Sequence, residues 1–516
     1  MQKNATIIGI KSDKGKFMST STNQTTNTNS APVNQPHLSK NLQDNIQLIA
    51  SQLPVGLSYD LITREFYVGD TKAYLLAFNG LCKTDILQRI FSDLQNPMYV
   101  EDATVENIAN YIGHKMGYIS VQLMDSWEEI QLNVLCGPVA LFLDGFAQAV
   151  VIDVRTYPTR SIEEPDMERV TKGSRDGFVE AMLTNANLLR RRVRSPKLVF
   201  SRHFVGEESQ TDVAVAYLQD KVDASLLKHI EQIIDSLHIT SLTMGAKSLE
   251  ELLISKRWWN PLPCVLTTER PDVASSYLME GHILVMVDNS PLVLVLPCSI
   301  FQFSQSPEDY YKSPLVGTYF RLVRFLCIPV SLLLMPTFLL IGAHFPELAS
   351  AWQLMDMEGM TAPRLFFYVM AIEFILDLFQ YSSALTSNVY SGALSIVSGL
   401  IIGEVAVKLQ WATTEVLFYA AITLLASLSL SDSGFRDGIR LFRILLLLVT
   451  GFWGLPGYLC GLLAILISTA TTPTFGGFSY LWPLFPFNKK ALGRLLFRSP
   501  TPKAQPSTVW GRGKVK

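Results

Sequence analysis

Several signatures are missing from this 516-residue chain, and each absence removes a class of function. Neither sign of charge dominates: the formal net charge is −2, which offers no electrostatic footprint for nucleic acid. The six cysteines, Cys82, Cys136, Cys264, Cys298, Cys327 and Cys460, lie far apart and contain no C-x-x-C pair. That dispersal reads as buried free thiols rather than a disulfide framework or a zinc site. Seven scattered histidines show no metal-ligand spacing. There is no Walker loop, no G-x-G-x-x-G opening a helix, no G-x-S-x-G and no H-E-x-x-H. Asp212, Glu269 and Asp288 are single acids near expected strand ends, and they read as structural. Trp258 and Trp259 read as buried between half-domains rather than as a ligand stack. Nothing here supports catalysis, a cofactor or a metal. The N-terminal stretch MQKNATIIGIKSDKGK holds an apolar run too short for a signal-peptide core, so the front of the chain is expected in the cytoplasm.

What the chain does have is a division. Its first three hundred residues read as soluble protein. From Phe325 onward come hydrocarbon-rich runs at Phe325–Ala343, Leu365–Tyr381, Ser391–Val407, Thr413–Leu430 and Leu441–Ala470. A helix over Phe325–Ala343 rises about 28 Å, close to the thickness of a bilayer core. The lipid bilayer is therefore an expected partner.

The soluble front divides again. Residues 1–41 are expected to be a disordered leader, since MSTSTNQTTNTNSAPVNQPH cannot bury enough surface to offset its ordering entropy. Residues 42–165 alternate strand and helix patterns and form a first α/β subdomain. REFYVG and KAYLLAFNG read as strands and KTDILQRIFSDL as a helix; VALFLDGFAQAVVIDV reads as two strands around Asp144-Gly145, a pair that tolerates a tight turn. Residues 166–196 form a linker helix ending in Arg190, Arg191, Arg192 and Arg194. Basic residues suit a helix C-terminus. Two readings of this cluster stand: a solvated helix end with a structural salt bridge, or a contact to membrane headgroups or a partner. Residues 197–310 form a second α/β subdomain. Within it DASLLKHIEQIIDSL is a helix capped by Asp223, and HILVMVDNSPLVLVLP again gives two strands around a turn. The repeated hairpin allows two related half-domains, although common hairpin grammar explains it equally well. The expected fold class is thus an α/β cytosolic region of two subdomains followed by an all-α polytopic membrane module, residues 311–488, with a basic cytosolic tail, residues 489–516.

Basic residues orient the module. Lys312, Arg321 and Arg324 precede the first run, Arg436, Arg440 and Arg443 lie between the fourth and fifth, and lysines and arginines crowd the tail. Keeping all three groups in the cytoplasm requires the fifth run to return. Gly454-Leu455-Pro456-Gly457 at its middle supplies a break, so a bent or re-entrant segment is favoured over a plain fifth span. Glu373 and Asp377, four apart, share a helix face. With Glu404 and Glu415 they are candidate ion-pathway residues, because a charge at membrane depth costs about 2.5–3.5 kcal/mol and marks a polar interior. The bland alternatives place Glu404 and Glu415 at the interface and pair Glu373 and Asp377 within the bundle.

Several stretches together resemble the A-subunit family of bacterial spore germination receptors: GSRDGFVEAMLTNANLLRRRVRSP, VGEESQTDVAVAYLQD, NPLPCVLTTERPDVASSYLMEGHILVMVDNSP, FSQSPEDYY and SYLWPLFPFNKKAL. The match spans roughly residues 42–495. TKGSRDGFVE, ERPDVA and PFNKKAL look most like a subgroup associated with the sporulation operon of dipicolinic-acid channel proteins. The resemblance implies a multi-pass protein of the endospore inner membrane with its N-terminal domain in the cytoplasm. It implies homo-oligomers acting with B-type and C-type subunits, or with a partner specific to the subgroup, and roles in ion conduction or signal coupling. It transfers no catalytic residue. A solute transporter and a non-conducting scaffold are the alternatives; too few clear spans and no evident inverted repeats weigh against the transporter.

Overall fold

Local chemistry sets several of the helix and strand boundaries in the front of the chain. The computed structural model describes residues 36–96, 104–115, 120–157, 173–254, 259–351, 361–385, 408, 413–477 and 479–498. Helix α1 (Leu42–Gln52) opens on Asn41, whose side chain accepts from the Gln43 amide. Strands β1 (Leu61–Val68) and β2 (Thr71–Phe78) form a hairpin closed by the Val68–Thr71 pair. Helices α2 (Thr84–Leu94) and α3 (Val105–Asn110) follow, the latter running into a single π turn. Then come β3 (Ser120–Met124), α4 (Trp127–Leu135), β4 (Val139–Leu143) and β5 (Ala149–Asp153). The β4–β5 turn is Asp144-Gly145, with Gly145 at φ 87°, a conformation glycine adopts without strain.

These strands pair as β1-β2-β4-β5-β3, every neighbour antiparallel. Period-two alternation sends Tyr74, Leu76 and Phe78 of β2 to α1 and α4, and Ala73, Leu75 and Ala77 to α2 and α3. Helices on both faces explain why β4 is buried along its whole length.

The second unit repeats the plan. Helix α5 (Met182–Arg192) precedes β6 (Leu198–Val205) and β7 (Thr211–Leu218). Helices α6 (Ala224–Asp235) and α7 (Ala246–Leu253) lead to β8 (Leu266–Thr268), α8 (Pro271–Glu280), β9 (Ile283–Val287) and β10 (Val293–Leu296). The order β6-β7-β9-β10-β8 is that of the first sheet. Asp223 caps α6 through the amides of Ser225 and Leu226.

Matched polar details extend the likeness of the two units beyond their hairpins. The Leu42 amide donates to Asp144 Oδ1 at 3.1 Å, and the Met182 amide to Asp288 Oδ1 at 3.0 Å. Asn45 closes a loop on the backbone of Ser39, and Asn185 closes the same loop on Val179. In each unit the acid of the last hairpin turn thus holds the start of the first helix. Asp288 has this capping role, and Asp212 forms a two-point pair with Arg202.

Among the described residues, the elements that follow are helical. A short α9 (Glu308–Tyr311) leads to α10 (Pro314–His344), then α11 (Pro346–Ala351), α12 (Ala362–Leu385), α13 (Thr414–Leu428), α14 (Ser433–Ala470) and α15 (Lys489–Leu496). Among the described residues, α10 and α14 are long and apolar enough to cross a bilayer. Four of the five expected apolar runs fall on α10, α12, α13 and α14. The third run, residues 1–35 of the leader, the linker at Pro158–Asp166, Trp258 and the tail beyond Arg498 lie outside the described residues; residues 36–41, expected to be disordered, are instead held on the first unit, where Leu38 is buried and its amide donates to the Asp125 carbonyl.

Candidate functional site in the junction and the helical bundle

The two α/β units are joined by a buried ion pair rather than by a solvated linker end. Arg190 is fully buried and its guanidinium forks onto Asp60 at 2.9 and 3.2 Å. It also donates to the carbonyls of Ser195 and Leu198, and it lies over the rings of Phe78 and Phe200. Arg190 thus makes the structural salt bridge of the first reading, but from a buried helix end rather than a solvated one. The reason is spacing: Arg190 takes the inward side of the last turn of α5, where the second unit packs on the loop before β1, with the Tyr59 amide donating to the Phe200 carbonyl. Of its neighbours, Arg191 stacks on Tyr157, Arg192 pairs with Asp176, and Arg194 is exposed.

A second junction joins the second unit to the helices. Pro314 begins α10 at a position where a missing amide does no harm. Three turns on, Arg324 forks onto the buried Asp309 at 2.6 and 3.0 Å and donates to the Ser304 carbonyl. Arg321, also buried, approaches Asp309 at 3.7 Å and caps α15 through the carbonyls of Arg494 and Leu495. Asn260 donates to Thr472 at 2.8 Å and the Tyr480 hydroxyl to the Pro263 carbonyl at 2.9 Å. Phe435, Ile439 and Phe442 of α14 belong to the same apolar core as Met182, Leu188, Ala274 and Leu278 of the second unit. Beside these contacts lies a cleft of about 620 Å³, bordered by Thr268, Asp309, Lys312, Arg324, Asp432 and Arg436. Next to it Glu280 is half-buried, and desolvation, partly offset by Arg494, raises its carboxyl to about 7.

Helix α14 is bent back on itself. Gly454 has φ 61° and ψ −137°, inside the expected Gly-Leu-Pro-Gly break. A Cβ placed on Gly461 would lie 2.6 Å from Leu446, and one on Gly457 would lie 2.3 Å from the Val449 carbonyl oxygen. In a straight helix those residues would be roughly 12–22 Å apart. Both ends of α14 meet the second α/β unit, through Phe435–Phe303 at one and Thr472–Asn260 at the other. The bend instead lies against His344, at the far end of α10. At about 1.5 Å per residue the limbs are roughly 33 and 25 Å long. Helix α12 runs back toward the α/β units: Phe366 packs on Phe452 near the bend, and Gln380 bonds Arg440 nearer the junction.

Between these ends lies a charged layer. Arg443 donates to Glu373 at 2.9 Å and to the carbonyl of Ser331 at 3.0 Å; the two charged side chains are 4% and 2% exposed. One turn nearer the junction, Arg440 lies 3.4 Å from Asp377. Glu373 Oε1 and Arg443 Nε have no hydrogen-bond partner among the described residues, and the same holds for the hydroxyls of Thr450 and Ser468. Glu373 and Asp377 do share one face, as their spacing requires, yet that face meets two arginines rather than open space. Glu415 sits elsewhere, half-buried in the first turn of α13, where a negative charge suits the helix dipole. Tyr419, one turn on, already packs on Phe338, about two turns beyond Ser331. Glu404 lies outside the described residues. Arg321, Arg324, Arg440 and Arg443 read in the sequence only as topology signals. Their usable signal was the i,i+3 spacing of each pair, which puts both members on one helix face.

The family described as "Bacillus/Clostridium GerA spore germination protein" matches residues 47–508. Stage V sporulation protein AF of Bacillus subtilis (strain 168) is 30% identical over 482 residues, covering 92% of this chain and 97% of that protein. Spore germination protein KA of the same organism is 27% identical over 492 residues, covering 93% and 88%. The crystal structure of the N-terminal domain of the A subunit of the Bacillus megaterium spore germinant receptor GerK3 is 24% identical, with a TM-score of 0.39, covering 51% of this chain and 96% of that one. The chain belongs to the GerA family of spore germination proteins.

Proposed function

We propose that this chain is a multi-pass, A-subunit-like membrane protein of germination, in which a cytosolic α/β region is mechanically coupled to a helical bundle that carries an ion pathway. The observation that carries the reading is the charged layer of Glu373, Asp377, Arg440 and Arg443 inside apolar helices. A simple anchor has no use for ionisable groups at membrane depth, which are expensive there and belong to polar interiors. Here each acid is held by an arginine, so the geometry corresponds to a closed arrangement, and conduction requires the pairs to part. The junction supplies the means: α14 carries both the arginines and the apolar residues that complete the core of the second α/β unit. A shift of that unit is therefore felt by the layer.

On this reading the chain lies in the endospore inner membrane with its α/β region in the cytoplasm. It assembles with copies of itself and with other germination membrane proteins, whether B-type and C-type subunits or a subgroup-specific partner. Deleting the gene in the source organism and following single spores is expected to delay ion release and germination. Normal ion release in the deletion strain would refute the proposal. Purified full-length protein carrying Arg440→Gln with Arg443→Gln, which parts the pairs, separates the alternatives in vesicles: ion flux supports the pathway, flux of an organic solute a transporter, and no flux a scaffold.

A further inference from the structure

We propose that residues 484–490, with the start of α15, form a docking surface for anionic lipid headgroups at the cytoplasmic face of the membrane. The inference rests on reading the helical part as a membrane module. The stretch Leu-Phe-Pro-Phe-Asn-Lys-Lys is exposed at every position, with Leu484, Phe485 and Phe487 at 51, 70 and 67%. Large apolar side chains this open call for a cover.

Register identifies the cover. Helix α15 runs antiparallel to the start of α10: the Arg498 amide donates to Thr318, while the carbonyls of Arg494 and Leu495 accept from Arg321. Continuing that register toward Lys489 brings the exposed loop level with Arg324, Phe325 and Leu326, where the apolar run of α10 begins and Leu326 is itself 63% exposed. Aromatic rings beside lysines at that depth match the boundary between acyl chains and headgroups. The lysines give the surface its sign. Lys489 and Lys490 are exposed and occupy the first turn of α15, which contains no acid. Cations at a helix N-terminus are locally unfavourable, and an anion placed against them relieves both the like charge and the helix dipole. Asn488, capping through the Ala491 amide, fixes this turn, while Ala491 and Leu495 bury the opposite face.

The test uses the full-length protein. Retention of phosphatidylglycerol and of phosphatidylcholine is counted by native mass spectrometry after purification from vesicles containing both. Wild type is expected to retain phosphatidylglycerol preferentially. Lys489→Gln with Lys490→Gln is expected to lower that preference roughly fivefold per lysine, while Lys489→Arg with Lys490→Arg keeps it. Phe485→Ser with Phe487→Ser is expected to reduce retention of both lipids. Equal phosphatidylglycerol retention in wild type and the glutamine variant overturns the proposal. Flotation with pure phosphatidylcholine vesicles distinguishes the two levels. A chain that does not float with them contradicts the membrane reading and this inference together, whereas one that floats but shows no lysine-dependent preference contradicts this inference alone.

Discussion

Replacing Asp309 by Asn keeps the shape of the side chain and removes the charge that two buried arginines share. Asp309 is 1% exposed, Arg321 1% and Arg324 8%, so solvent screens the interaction little. Arg324 would lose a two-point charged contact at 2.6 and 3.0 Å, and Arg321 its neighbour at 3.7 Å. Breaking a buried pair by removing one partner costs about 3–5 kcal/mol, because the remaining charge is left uncompensated. Against a total stability of about 5–15 kcal/mol, that is enough to open the junction without unfolding the chain. Hydrogen exchange of the full-length protein in detergent reads this directly. Amides of residues 308–324 are expected to lose protection by about a hundredfold or more, since 1.4 kcal/mol corresponds to a factor of ten. Strands β2 and β4 of the first unit, which share no partner with Asp309, should be unaffected. A change below about threefold at the junction, or an equal loss everywhere, would refute the reading that Asp309 holds α10 to the second α/β unit.

The other predictions concern separate sites. Asp60→Asn is expected to destabilise the packing of the two α/β units by about 3–5 kcal/mol, whereas Asp60→Leu with Arg190→Met recovers most of that loss; denaturant titration of both variants checks it. Glu280 is raised from 4.5 to about 7 in the folded chain, so the folded state holds more protons than the unfolded between those values. Stability is therefore expected to fall as pH rises through that window, by on the order of 3 kcal/mol, and Glu280→Gln should flatten the profile in thermal melts. Gly454→Ala forces a side chain into a conformation reserved for glycine and against the ring of His344, so it should cost about 1–3 kcal/mol of thermal stability in detergent.

Much of the architecture was legible because it rests on local rules. Asp223 as an N-cap, the Asp144-Gly145 turn and the break at Gly454 each need only one or two residues with restricted or permissive backbones. The bent fifth segment followed from combining that break with the need to return basic residues to one side. Long-range pairing was not legible. Arg190 sits at a helix end as a surface residue would, and only the arrival of Asp60, 130 positions earlier, makes it a core residue. Arg440 and Arg443 were read as loop charges for the same reason, since their acids lie on a different helix. The likeness of the two units was half visible: the paired hairpins showed in the sequence, but the matched roles of Asp144 and Asp288 require knowing which amides they meet.

The most direct test of the account is ion flux through vesicles containing the purified full-length protein with its charged layer altered in opposite senses. Glu373→Gln with Asp377→Asn leaves Arg440 and Arg443 uncompensated, so cation flux is expected to fall below wild type. Arg440→Gln with Arg443→Gln frees both acids, so cation flux is expected to rise. An Arg440→Gln with Arg443→Gln variant whose flux is no greater than that of empty vesicles, or two variants that shift flux in the same direction, would contradict the claim that this layer lies on the ion pathway.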